Sequence, residues 1–296
     1  MMNANLNQAE AVSCITPVYG SVVSSDGSQV RYHYHLAGEE QPWIVLIMPF
    51  GLRSEMTQPF MQFFGRHYNI VSWESRLILD DGSEGFAPEH YQVRLHVADL
   101  LKVMDACAIK RAFLVGYCSG AGIALAALNR APQLFRSVCL VHGEYTLLQN
   151  KPCMTQFALD IDSLLGLAAG SERGANMVFE KLQSERMDSS QHLPDGLDVP
   201  YSDIRFFRRY SNNYLSYKAE DYENLARQVS HKTLLLSGEK DIQANVTSTL
   251  HMADLLENST VFIDPQADHY GMIRYGSRTM INVWNFLSVE QAAAQG

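Results

Sequence analysis

Eight residues constrain this chain more than any others: Val115-Gly116-Tyr117-Cys118-Ser119-Gly120-Ala121-Gly122. They end an apolar run that starts at Ala112 and open a small-residue stretch that reaches about Asn129. The first half reads as a buried strand and the second as a closely packed helix. No residues are left for a loop, so Cys118 must sit on a sharp turn in strained backbone geometry. Gly116 and Gly120 leave room where a Cβ would clash. Cys118 then projects over the start of the helix, where unpaired N–H groups carry partial positive charge. That charge favours a thiolate, whose ordinary pKa is about 8.5. The N–H of Ser119 points to the place where an oxyanion would form.

The rest of the chain supplies a setting for such a turn. Residues 15–23 and 29–36 read as two opening strands joined at Asp26-Gly27, a hairpin signal. Trp43 to Met48, Tyr68 to Trp73, Ser137 to His142, Thr233 to Ser237 and Thr260 to Asp264 are further short apolar runs. Residues 91–107 repeat apolar positions at helical spacing (Val93, Val97, Leu100, Leu101, Met104), and a last helix spans roughly Ser277 to Val289. This alternation predicts an α/β fold with a mostly parallel, eight-stranded sheet and helices on both faces. The alternation stops between about Tyr145 and Gln228. Helical runs (Met154 to Leu167, Ala175 to Met187), a loop near Leu193 to Pro200 and an aromatic, basic piece from Tyr201 to Tyr217 fill that stretch. The expected organisation is a core of residues 1–144 and 229–296 with a helical lid, 145–228, inserted in it.

Two later motifs complete a pattern. Leu234 to Asp241 is a strand ending in an acid-bearing loop, and Val261 to Tyr270 is a strand ending in a loop with His269. With the Gly-x-Cys-x-Gly turn in front of them, the chain resembles the α/β-hydrolase fold superfamily, over about residues 20–290 apart from the lid. Within it the resemblance is to the subgroup with cysteine at the nucleophile elbow, similar to cysteine thioesterases and acyltransferases. The resemblance implies Cys118 as nucleophile, His269 as general base and Asp241 as the acid that orients it. Glu144, in His142-Gly143-Glu144, occupies the place where some relatives carry the acid, and is otherwise a pocket residue. The second oxyanion donor falls in Pro49-Phe50-Gly51-Leu52, where relatives commonly read His-Gly. Either Phe50 or Leu52 supplies that N–H beside Ser119. The run Ser72-Trp73-Glu74-Ser75-Arg76 also departs from the relatives' Asp-x-Arg-Gly-x-Gly, the mark of a divergent subfamily.

Composition removes other classes. Lys plus Arg total 23 against 32 Asp plus Glu, a formal net charge of −9. That balance argues against a nucleic-acid binder. The longest apolar run is strand-sized and the first residues lack a basic, then apolar, leader, so neither a membrane span nor secretion is expected. The five cysteines (Cys14, Cys107, Cys118, Cys139, Cys153) form no CxxC pair and read as reduced thiols of a cytoplasmic protein, Cys107, Cys139 and Cys153 as core residues. His33 and His35 share a strand face at metal-ligand spacing without a third ligand, so a polar face is expected and no metal. Asp268, beside His269, is given no role. No dinucleotide fingerprint or P-loop is present, and no cofactor is implied.

A thiolate attacks activated acyl groups and yields a thioester, which can still pass its acyl group to an amine, alcohol, thiol or carbon nucleophile. Cysteine at the elbow therefore points to acyl transfer or thioester cleavage on a small acyl substrate, in secondary metabolism. Hydrolysis of a small ester or lactone is the runner-up. A silent ligand-binding protein of the same fold is the alternative from another class, and a complete candidate triad counts against it. The acyl group would arrive free or on coenzyme A or a carrier protein, for whose phosphate Arg205, Arg208 and Arg209 form a candidate dock. A homodimer is compatible with the fold.

Overall fold

Strand polarity settles the architecture. In a computed structural model describing residues 15–80, 87–188 and 194–293, eight strands form one sheet in the order β1-β2-β4-β3-β5-β6-β7-β8. They are β1 (Val18–Val23), β2 (Gln29–His35), β3 (Trp43–Ile47), β4 (Asn69–Trp73), β5 (Ala112–Tyr117), β6 (Phe135–Val141), β7 (Thr233–Gly238) and β8 (Ser259–Asp264). The β1–β2 hairpin turns at Gly27 and runs antiparallel onto β4; every later pairing is parallel. The α/β fold with a mostly parallel, eight-stranded sheet is as the sequence predicts. The expected first strand starts later than residue 15, and Cys14 lies outside the described residues.

The central strands are buried on both faces because helices cover both. Side chains alternate across a strand. Val45, Ile47, Leu114 and Leu140 pack on the face of α2 (Val93–Ala106) and α3 (Ser119–Arg130). Ile44, Leu46, Phe113, Val115 and Cys139 pack on the face of α1 (Gln58–Phe64) and the last helix, Arg278–Ala293. Between β6 and β7 lie α4 (Gln156–Gly170), α5 (Glu172–Asp188), α6 (Ile204–Tyr217) and α7 (Tyr222–Arg227). The first three share a small core of Leu165, Ala168, Ala175, Val178, Phe207 and Tyr214. Tyr217 at the end of α6, and Tyr222 and Ala226 of α7, instead join the core beneath the sheet. The α8 helix (Val246–Leu255) is capped by Asn245, whose side chain accepts from the N–H of Thr247 at 3.0 Å; Arg278–Ala293 is α9. No described helix is long and apolar enough to cross a membrane.

The divergent run after β4 has partners of its own. Arg76 is fully buried, with Asp26 of the hairpin turn against it and Asp99 of α2 at 3.6 Å. Glu74 pairs with Arg31 at 3.0 Å and accepts from the N–H of Ser54 at 3.1 Å. This network ties the antiparallel hairpin to the parallel core. His33 pairs with Thr57 at 2.8 Å and His35 with the carbonyl of Gly65 at 2.9 Å, so the shared face is spent on hydrogen bonds toward α1.

Two buried histidines make stability depend on pH. Burial lowers His33 to about 4; burial, with Arg76 second, lowers His96 to about 3. Unfolded, both titrate near 6.5. The folded state therefore binds fewer protons below pH 6.5, and stability falls as pH drops from there through 4, by up to about 1.4 kcal/mol per pH unit for each histidine. Asp99, pushed up to about 6 by burial although Arg76 pulls it down, works the other way, its share being lost as pH rises through 6. Thermal denaturation should show Tm falling with pH over that acid window, and His33→Gln should make the slope shallower. An unchanged slope would refute this account.

Candidate active site

The site is assembled from the C-terminal ends of the parallel strands, where chain crossings leave a crevice. The turn after β5 has the geometry its sequence requires. Cys118 has φ 54° and ψ −123°, outside the regions a side chain ordinarily allows. A Cβ on Gly116 would lie 2.6 Å from the carbonyl oxygen of Gly120, and one on Gly120 would lie 2.3 Å from that of Ile47. The glycines let β5, α3 and the end of β3 touch backbone to backbone. Hydrogen bonds from the N–H of Cys118 to Val141 O (3.0 Å) and from the N–H of Glu144 to Cys118 O (3.2 Å) brace the turn from β6.

Of the two carboxylates weighed as the acid, the one on His269 is Asp241. Its Oδ2 accepts from His269 Nδ1 at 2.9 Å, and its Oδ1 accepts the N–H groups of Gln243 (2.8 Å) and Ala244 (2.9 Å). The loop after β8 is held in turn by the hydroxyl of Tyr117, which donates to the carbonyl of His269 at 2.7 Å. Sequence reasoning missed one member of this group. His142 also places its Nδ1 at 2.9 Å from Asp241 Oδ2, so one oxygen serves two imidazoles. The available signal was a histidine ending a buried strand next to the acid-bearing strand β7. Burial pushes Asp241 upward, but the bonds from His142 and His269 outweigh it and hold the carboxyl far below its usual range. Among the described residues, His142, Asp241 and His269 also have ligand-type atoms within 4.8 Å of one another, the set closest to a metal site. Asp241 Oδ2 and both Nδ1 atoms are already spent on these hydrogen bonds. Asp268, given no role from sequence, pairs instead with Arg274 at 2.8 Å.

Glu144 stands beside the thiol, with Cys118 Sγ donating to its Oε2 at 3.5 Å. Burial and this neighbouring negative charge push the Cys118 thiol well above its ordinary range; the N–H of Ser119 acts in the opposite sense and is outweighed. The thiolate expected at the helix start is therefore not the resting form. Burial also raises Glu144 itself, the charge of His269 and the thiol hydrogen bond partly offsetting it.

Of the two oxyanion-loop alternatives, Phe50 is the one beside the turn: its N–H donates to Ser119 Oγ at 3.2 Å. Leu52 contributes its side chain to the cavity wall. Gly51 has φ +73°, and a Cβ there would meet Pro200 at 2.5 Å, so this loop lies directly under the helical segment. Cys118, Ser119, Phe50, Glu144 and His269 all line one cavity of about 480 Å³, a size suited to a small ligand. Its outer wall comes from α4 to α6, including Phe157, Ile161, Leu164 and Tyr210. Arg205, Arg208 and Arg209 are not among its described lining residues. Arg205 pairs with Asp203 at 2.7 Å, Arg208 with Glu172 at 3.3 Å, and buried Arg209 donates to the carbonyl of Asp80 at 2.5 Å. Cys107, Cys139 and Cys153 are free thiols in apolar surroundings.

Comparison with known proteins accords with this geometry. A family profile described as the alpha/beta hydrolase fold matches residues 72–274. The chain is 25% identical over 255 residues to an L-allo-isoleucyltransferase of Pseudomonas savastanoi pv. glycinea, covering 83% of this chain and 86% of the relative. It is 23% identical over 256 residues to a 2-hydroxymuconate semialdehyde hydrolase of a Pseudomonas species, covering 80% of this chain and 89% of the relative. Among solved structures, the enol-lactonase of Burkholderia xenovorans superposes with a TM-score of 0.67 at 19% identity, over 91% of this chain and 100% of that one. The relatives thus include an acyltransferase and hydrolases.

A protonated, buried thiol should be slow to alkylate. The rate of Cys118 modification by iodoacetamide, followed by peptide mass, should keep rising with pH beyond about 8.5, where an ordinary thiol levels off. A plateau below that pH would contradict the raised thiol.

Proposed function

The chain belongs to the alpha/beta hydrolase fold family, and from that premise we propose that it transfers or cleaves acyl groups through a covalent thioester on Cys118. The observation that carries this reading is the strained Cys118 at the floor of the cavity that His269 and Asp241 also serve. Because the resting group is a thiol, His269 is the base that removes its proton as Sγ adds to the substrate carbonyl carbon. Asp241 fixes the tautomer, taking Nδ1–H and leaving the other ring nitrogen free for that proton. The oxyanion gathers its negative charge at the N–H of Ser119 and at that of Phe50, once the latter leaves Ser119 Oγ. The bond from carbonyl carbon to leaving group then breaks, and His269 returns the proton to the departing thiol or alcohol.

The acyl-enzyme keeps the energy of a thioester. An incoming amine, alcohol or thiol, or water, gives its proton to His269 and attacks the carbonyl carbon; as the carbon–sulfur bond breaks, His269 hands that proton to the departing Cys118 Sγ. Transfer is favoured by the cysteine and by the similarity to an acyltransferase over most of both chains. Hydrolysis, with water as acceptor, is favoured by the similarity to a semialdehyde hydrolase. No step calls for a cofactor. Arg205, Arg208 and Arg209 have partners of their own, so a carrier arm would be held at the cavity mouth by other groups.

Intact-protein mass after brief exposure to a panel of acyl thioesters tests this. Wild type should gain one acyl mass, Cys118→Ala none, and His269→Ala should load about 100- to 10,000-fold more slowly. Absence of any adduct and of any thioester loss across the panel would sink the acyl-enzyme reading. Adding amines and thiols to the loaded enzyme then separates transfer from hydrolysis.

A further inference from the structure

We propose that Glu144 is the docking group for the α-ammonium of the acyl group, so that the substrates are aminoacyl thioesters with apolar side chains. This rests on the acyl-enzyme reading above. Several observations lead to it. Asp241 already fills the role of acid on His269, which leaves Glu144 without one. Its main chain is held at both ends, the N–H donating to Cys118 O at 3.2 Å and the carbonyl accepting from the hydroxyl of Tyr217 at 2.7 Å. A carboxylate fixed in this way, in a cavity otherwise largely apolar, carries a desolvation cost that a bound cation would relieve.

Its position selects which cation. Oε2 lies 3.5 Å from Cys118 Sγ. In an aminoacyl thioester on Sγ, only the carbonyl carbon and the α-carbon separate sulfur from the amino nitrogen. An α-ammonium therefore falls within reach of a carboxylate that touches the sulfur, whereas the ammonium of a long side chain would be carried away from it. The rest of the cavity agrees in charge: Asp195 and Asp198 also line it, and no Lys or Arg is among its described lining residues. A carboxylate-bearing acyl group would meet these acidic side chains with no Lys or Arg among the described lining residues to offset them. The walls beyond are apolar, with Ile161, Leu164, Leu165 and Leu197 placed to receive an aliphatic side chain. Pairing with an ammonium would also cancel the charge that keeps the thiol protonated, so a fitting substrate would assist its own attack.

The test compares the S-leucyl and des-amino leucyl thioesters of N-acetylcysteamine at neutral pH, following the loading rate of Cys118 by intact mass. Wild type should load the leucyl group about 10- to 100-fold faster, the usual worth of a charged hydrogen bond. Glu144→Gln should slow leucyl loading by a similar factor while speeding des-amino loading, because the thiol loses its anionic neighbour. That crossover would not come from mere loss of structure. If wild type loads both thioesters equally, or if Glu144→Gln leaves their ratio unchanged, the ammonium dock is wrong and the acyl-enzyme stands. If wild type loads neither, the acyl-enzyme reading itself fails and the dock with it.

Discussion

Everything at this site depends on a backbone contact: the approach of β5, α3 and β3 across Gly116 and Gly120. A methyl group at Gly120 would overlap the carbonyl of Ile47. With no side chain there, strand and helix meet without a loop, and Cys118 is forced to positive φ. Such a conformation costs about 1 to 3 kcal/mol and survives only where packing over-determines it. Here β5 is buried along its whole length and α3 is covered by α2 and α7. The strain raises the thiol above the sheet edge and points it into the cavity, with the N–H of Ser119 at its side.

Two carboxylates stand at this site, Glu144 in the cavity lining and Asp241 bonded to His269, and their surroundings drive them apart. Asp241 accepts from two imidazoles and two backbone N–H groups, which keeps it ionised. Glu144 has burial, which moves its protonation upward, and only the charge of His269 and the thiol to offset it. Groups whose environments separate their protonation in this way are suited to different tasks. Asp241 bonds the imidazole of His269, while Glu144 faces the cavity beside the thiol. His142 belongs with the former, since a second donor on the same oxygen deepens the stability of the Asp241 anion.

Much of this was legible in the residues. All eight strands appear close to where the sequence predicts them: the central ones because a strand buried on both faces must be apolar throughout, the exposed first pair because Asp26-Gly27 marks a hairpin turn. Cys118, His269 and Asp241 were legible as candidates for another reason: Cys118 follows β5 directly and the other two lie in the loops that leave β8 and β7, so their places in the sequence put them at one end of the sheet. The short helices α1 and α8 were not read. Their burial is one-sided and brief, and Gln58-Pro59 opens α1 without a capping side chain. Nor was Arg76 recognisable as a buried cation. Its partners, Asp26 and Asp99, stand 50 and 23 positions away, and only the hairpin folding onto β4 joins them.

The sequence by itself determined the sheet and the strained turn, and it narrowed the candidate site to Cys118, His269 and two possible acids, because these follow from periodicity and from chain order along parallel strands. The tertiary structure decided what depends on distance between strangers in the chain. It put Asp241 rather than Glu144 on His269, added His142 to the same oxygen, and gave Arg205, Arg208 and Arg209 partners within the protein. It also decided that the thiol rests protonated. A helix start favours a thiolate wherever it occurs, but burial and a carboxylate at 3.5 Å are properties of the folded cavity, and they prevail.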